Sequence, residues 1–314
     1  MIKQIALRAL LLSLSLLSFA CSTAEPQVEL PTAETGMFNR SLEHDGIERE
    51  YILYLPEGYT GQEEQKLPLL LNFHGFTGTS ESQLSYADFR PIADRENFIL
   101  VYPQGTLLGG DTHWNVGGWT RRSQTDDIGF TAALLDQLQA DYAVDPTRIY
   151  STGHSNGGYM SFQLACQLGD QIAAVASVSG SMTPEIMRDC EPTGPTSILQ
   201  IHATADPTVP YSGTSWSESI DQVLAYWVLV NFADPSPAVE TLLRHPETTA
   251  SSSVEHIRHA DGKNGTVVEH IRVIDGGHEW LGTPDLSGQV NLDYDTNEEI
   301  WAFLSRFDTS GLRN

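Results

Sequence analysis

The chain has 314 residues, which suits one large α/β domain or two small ones and leaves ample material for a buried core. Hydrophobic residues make up 40% and charged residues 18%, the balance of a globular rather than a disordered chain. Lys and Arg total 17 against 41 Asp and Glu, and a net charge of −24 argues against nucleic acid or an anionic membrane surface as a partner.

The first 21 residues read as a targeting segment. Lys3 and Arg8 form a positive start, and Ala9 to Ala20 is an uncharged apolar and serine run, short for a membrane span and ending in a small residue. Its removal takes both cations and leaves 15 positive against 41 negative charges, or −26. The run stops at "LSFAC", which resembles a bacterial lipoprotein cleavage site with Cys21 as the lipidated residue. The resemblance implies an outer-membrane or periplasmic location, with ordinary secretion after cleavage nearby as the alternative. Residues 22–36 are rich in Thr, Pro and Glu, as a flexible tether is. Three cysteines are an odd number for an exported chain. With Cys21 lipidated, Cys166 and Cys190 remain as an even pair for a disulfide in an oxidising compartment; the other reading is a buried free Cys166 on a helix.

Residues 37–309 read as one domain. "EREYILYLP" (48–56) has strand character and ends at proline. "LPLLLNFHG" (67–75) and "NFILVYPQG" (97–105) are short apolar runs of the kind found in strands buried on both faces. "DIGFTAALLDQLQADY" (127–142) places Phe130, Leu134, Leu135 and Leu138 at helical spacing, with Asp126 and Asp127 as helix-capping acids. A strand at 147–153 leads into a helical pattern at 157–168. Strands follow at 172–180, 197–206 and 266–277, with helices at 219–232 and 297–307. "PETTASSSVEH" (246–256) reads as a surface loop. Strands alternating with helices imply a mostly parallel central sheet covered on both faces.

Gly153-His154-Ser155-Asn156-Gly157 fits G-x-S-x-G between a strand and a helix, the setting of a nucleophile elbow. A serine hydroxyl needs a base, and the base needs an orienting acid. His278 lies in a glycine turn, "DGGHEW", after the last core strand and is the candidate base. Asp206 ends the strand "SILQIHATAD" before Pro207 and is the candidate acid, although aspartate before proline is also a common turn former. His256, His259 and His270 read as surface or half-buried residues without a second ligand cluster, so neither a metal nor a cofactor is expected. Two N–H donors should meet a developing oxyanion. One is that of Asn156, and the other is that of Phe76 or Thr77 in the "HGFTG" loop.

Together, "LLLNFHGFTG", "VYPQG", "DDIGF", "DPTRIYSTGHSNGGYMS", "AAVASVSG", "IHATADPTVPY" and "DGGHEWLG" resemble the secreted esterases grouped with polyhydroxybutyrate depolymerases, feruloyl esterases and acetylxylan esterases. That resemblance spans about residues 48–307. It implies the α/β-hydrolase fold, with Ser155 as nucleophile, Asp206 as acid and His278 as base. His74, His154 and Trp280 are expected to line the cleft. Further cysteines that many relatives carry before the last strand are missing here, and Glu279 stands where relatives often have threonine. The expected partner is a small or oligomeric ester, with the membrane reached only through a lipid anchor. No appended polymer-binding module is visible, which counsels against crystalline polymer. A serine peptidase and a non-catalytic binding protein are the competing readings. The first usually needs a propeller or large cap, and the second has no use for all three triad residues.

Overall fold

The computed structural model describes residues 34–284 and 288–313. The targeting segment, Cys21 and most of the tether lie outside them. Ten strands form the main sheet: β1 (Gly36–His44), β2 (Ile47–Leu55), β3 (Leu67–Phe73), β4 (Ile99–Pro103), β5 (Val144–His154), β6 (Ile172–Val178), β7 (Ser197–Ala203), β8 (Ala238–Thr241), β9 (Ser253–His259) and β10 (Val268–Ile274). Their spatial order is β1-β2-β4-β3-β5-β6-β7-β10-β9-β8. From β4 to β10 the neighbours run parallel, and antiparallel pairs close both ends.

The central strands carry the apolar runs because both of their faces are covered. Every residue of β6 and β7 is buried. On β3, Leu69, Leu71 and Phe73 enter one core and Leu70 the other. Helices α3 (Asp127–Asp141), α4 (Asn156–Gln167) and α6 (Ile220–Asn231) supply Phe130, Phe162 and Trp227 to the first core. The second core receives Ile92 from α2 (Arg90–Glu96) and Trp301 from α7 (Thr296–Leu304), whose ring stacks on Phe98 at 3.8 Å. Two further helices, α1 (Ser80–Tyr86) and α5 (Pro184–Arg188), follow β3 and β6. Cys166 of α4 and Cys190 are joined by a disulfide.

Three expectations need correction. The end of the 246–256 excursion is not loop: from Ser253 it is strand β9, with Val254 buried against the second core. Its serine-rich start hides the alternation. His270 is only 1% exposed, because β10 lies between β7 and β9 rather than at an edge. Asp126 does cap α3 by accepting the Gly129 N–H, but Asp127 is a buried ion-pair partner of Arg49 at 2.7 Å and also accepts the Asn115 N–H.

The topology also selects a place for chemistry. From β3 the chain moves outward to β4, then returns to β5 on β3's other side. Connections leaving β3 and β5 therefore diverge, opening a crevice at their carboxyl ends.

Candidate active site

Strand β5 enters this crevice at His154, and α4 starts at Asn156. Ser155 makes the turn between them with φ 53° and ψ −117°, backbone that non-glycine residues rarely adopt and that costs of order 1–3 kcal/mol. Tight packing imposes the turn. A Cβ on Gly157 would lie 2.1 Å from the Phe73 carbonyl oxygen, and one on Gly153 2.6 Å from the Gly157 carbonyl. A serine at a helix N-cap ordinarily accepts a backbone N–H. Thr79, Thr183 and Ser219 do so at α1, α5 and α6, whereas the Ser155 side chain makes no capping bond. Its hydroxyl is left uncommitted to the helix, while its own N–H is held by the Val178 carbonyl at 2.8 Å.

Beyond β7, Asp206 is 4% exposed. Its Oδ1 accepts the Thr208 and Val209 N–H groups, both at 2.8 Å, and its Oδ2 accepts His278 Nδ1–H at 2.7 Å. A carboxylate only accepts, so the His278 proton sits on Nδ1 and Nε2 is the basic nitrogen. Burial raises the Asp206 carboxyl. The His278 hydrogen bond and charge, the Val209 N–H and nearby His202 outweigh that effect, and the group ends below its ordinary value. Buried His202 approaches the same carboxylate oxygen: its Nε2 is 3.5 Å from Oδ2 and 2.8 Å from the Val209 carbonyl.

The His278 ring reaches the elbow, with its centroid 4.9 Å from that of His154. His154, His278, Tyr86, Thr208, Trp280 and Pro284 line a cavity of about 370 Å³. Trp280 is a fixed wall of this cavity, since it is 2% exposed and its Nε1 donates to Asn297 Oδ1 at 2.9 Å. Burial, reinforced by neighbouring His278, lowers the His154 pKa to about 3, so its ring is neutral.

His74 is not a cleft residue. It is fully buried, and its Nε2 accepts the Gly105 N–H at 2.9 Å. The proton therefore lies on Nδ1, which donates to the Gly75 carbonyl at 2.7 Å. Burial lowers its pKa to about 4. Thr77 is likewise excluded as an oxyanion donor, because its N–H is spent on the Thr112 carbonyl at 2.8 Å. The turn is closed by Gly78 N–H to Gly75 O at 3.0 Å and holds Thr77 at φ 66°. That geometry leaves Phe76 as the turn's candidate donor. Asn156, the first residue of α4, has an N–H with no intrahelical acceptor.

Trp114 was not signalled by the sequence. It sits 42 residues before Asn156 in an irregular segment without periodicity, yet the Asn156 amide accepts its N–H at 2.7 Å and donates to its carbonyl at 3.1 Å. Among the described residues, one cluster could approach a cation: His44, Asp45 and Asp126, with ligand atoms within 4.8 Å of one another. Both carboxylates are exposed, and Asp126 already caps α3.

An uncommitted serine on a strained strand-to-helix turn, with a carboxylate–imidazole pair beside it on a mostly parallel sheet, defines the α/β-hydrolase class. The Esterase family model matches residues 45–282, and the chain belongs to that family. Feruloyl esterase B of Piromyces equi is 34% identical over 167 residues, a match covering 52% of this chain and 30% of that protein. The Aspergillus oryzae protein named "Probable feruloyl esterase C" is 29% identical over 220 residues, covering 68% of this chain and 73% of its own length. An acetyl xylan esterase from Aspergillus awamori superposes with a TM-score of 0.62 at 15% identity, covering 86% of this chain and 99% of that one, and shows the fold.

Proposed function

We propose that the protein is a serine carboxylic ester hydrolase that works through an acyl-enzyme. The observation that carries this reading is the Asp206–His278 hydrogen bond at 2.7 Å, with the His278 ring 4.9 Å from that of His154, the neighbour of a serine held at positive φ. In this mechanism His278 Nε2 takes the Ser155 proton as Ser155 Oγ attacks the ester carbonyl. Asp206 stabilises the imidazolium and holds its tautomer. The backbone N–H groups of Asn156 and Phe76 receive the oxyanion. The imidazolium then protonates the departing alcohol, and water releases the acid by the same steps.

The substrates we propose are feruloyl or acetyl esters or hydroxyalkanoate oligomers. Names of the relatives favour the first two, and the small cavity walled by Tyr86 and Trp280 suits a compact or planar acyl group. Export, with Cys21 as a lipid anchor, completes the proposal; among the described residues no helix is long and apolar enough to cross a membrane.

Ser155→Ala tests the reading on p-nitrophenyl acetate, methyl ferulate, hydroxybutyrate oligomers and a peptide anilide. Ester hydrolysis should fall on the order of 10⁴-fold or more with the fold retained. A variant with wild-type kcat would sink the assignment, and cleavage of the anilide alone would favour a peptidase.

A further inference from the structure

The two proposed oxyanion donors belong to different parts of the chain. Phe76 follows β3, whereas Asn156 opens α4, 80 positions later. An oxyanion hole works only when both donors are aimed at one point before the reaction begins. Something must therefore fix their separation.

One fully buried residue is bonded to both segments. Trp114 is 0% exposed, as are His74 and Asn156. Its backbone N–H and carbonyl are clasped by the Asn156 side-chain amide at 2.7 and 3.1 Å. Its indole Nε1–H donates to the His74 carbonyl at 2.9 Å, one residue before the turn that carries Phe76. The ring packs edge-on to Phe73 at 5.0 Å and lies 4.9 Å from the His74 ring. The segment leading to Trp114 grips the same turn elsewhere too, including from the Thr112 hydroxyl to the Gly78 carbonyl. Thr112 accepts the Thr77 N–H at 2.8 Å, and the Gly105 N–H fixes the His74 tautomer that donates to the Gly75 carbonyl. The Asn156 amide orientation follows from its partners, because its oxygen must face an N–H and its nitrogen a carbonyl.

We propose that Trp114, clasped by the Asn156 side chain, is the positioning residue that sets the distance between the two oxyanion donors. This inference rests on the serine esterase reading. Trp114 touches no reacting atom. It acts by tying the carbonyl end of β3 to the first turn of α4, so that neither donor drifts as negative charge develops.

The test uses the full mature protein and two variants. Trp114→Phe keeps an aromatic ring and removes the indole donor. Asn156→Ala keeps the backbone donor and removes the clasp. For p-nitrophenyl acetate, kcat should fall roughly 10-fold or more in each, within the range seen when one oxyanion donor is lost, while KM stays within about twofold. Affinity for an aryl trifluoromethyl ketone, whose serine adduct carries the oxyanion, should fall by the same factor as kcat/KM. Affinity for the acid product should hold. The double variant should be no slower than the slower single one, because both break one brace.

Raised KM at unchanged kcat, an unchanged trifluoromethyl ketone affinity, or multiplying losses in the double variant would overturn the proposal. Should Trp114→Phe fail to fold, Asn156→Ala decides by the same readouts. A wild-type protein that hydrolyses none of the esters removes the esterase reading and this inference with it. An active wild type with unaffected variants removes the inference alone.

Discussion

The two sides of the proposed catalytic edge are built differently. On the oxyanion side, His74, Trp114 and Asn156 hold the backbone with neutral hydrogen bonds, and all three are fully buried. On the acid–base side, a carboxylate faces an imidazole in a shallower setting, with Asp206 buried and the His278 side chain 18% exposed. Each arrangement suits its task. Backbone donors need rigidity, which neutral bonds supply without the cost of desolvating an ion. A base must change charge during turnover, so it needs a charged partner and contact with the cleft. One side should therefore respond to substitutions that alter protonation, and the other to substitutions that alter spacing.

The largest expected effect is on the charged side. Asp206→Asn should lower kcat by about 10⁴-fold with little change in fold, because an amide N–H facing His278 Nδ1 would move the proton to Nε2 and leave no base. Steady-state kinetics with p-nitrophenyl acetate check it. A loss below about tenfold would show that the carboxylate does not set the tautomer.

Acid should next titrate the buried neutral histidines, of which His74 belongs to the oxyanion side. His74 has a pKa lowered to about 4, His154 and His270 have pKa values lowered to about 3, and His202 is also lowered, all chiefly by burial. Their folded values lie below the unfolded 6.5, so their contribution is fully present above pH 6.5 and is lost progressively as pH falls from there through about 4 and 3. Within that window the unfolded chain binds up to four more protons, and stability should drop by at most roughly 5 kcal/mol per pH unit. Asp206, whose folded value lies below its unfolded 3.8, adds a loss that begins only as pH falls to that region. Asp127, raised by burial, opposes it. Urea midpoints at pH 7.5, 6 and 5 should fall steeply, and equal midpoints at 7.5 and 5 would contradict neutral burial.

The disulfide should matter least, being remote from this contrast. Replacing Cys166 and Cys190 by alanine opens a bridge of sequence separation 24 and should cost about 3 kcal/mol. That corresponds to roughly 6–12 °C in Tm for a domain of this size. Thermal melts check it, and kcat on p-nitrophenyl acetate should not move.

Local chemistry explains what was legible in the sequence. Buried parallel strands announce themselves as apolar runs, so β3, β4, β6 and β7 could be placed, and the alternation with helices gave the class of fold. Close approach of backbone to Phe73 demands glycine at 153 and 157, which marked the elbow. Asp206 and His278 each follow a strand and stand at a turn, so their segments could be named 72 residues apart and are hydrogen-bonded in the structure. What was hidden depends on direction and long-range contact. The choice between the Phe76 and Thr77 N–H groups turns on a long-range bond, from the Thr77 N–H to the Thr112 carbonyl. His74 differs from a cleft residue only by the face to which it points. Trp114 and the Asn156 clasp meet across 42 residues with no periodic signal. Strand β9 begins in serines and alternates weakly, so its pairing with β10 had no local mark.

Covalent trapping tests the central claim most directly. A fluorophosphonate should add once to the mature protein, and peptide mass mapping should place the adduct on Ser155. Labelling should be lost in Ser155→Ala and slowed by orders of magnitude in Asp206→Asn, while Trp114→Phe slows it less. An adduct on another residue, or ester hydrolysis that persists with Ser155 replaced, would contradict the account.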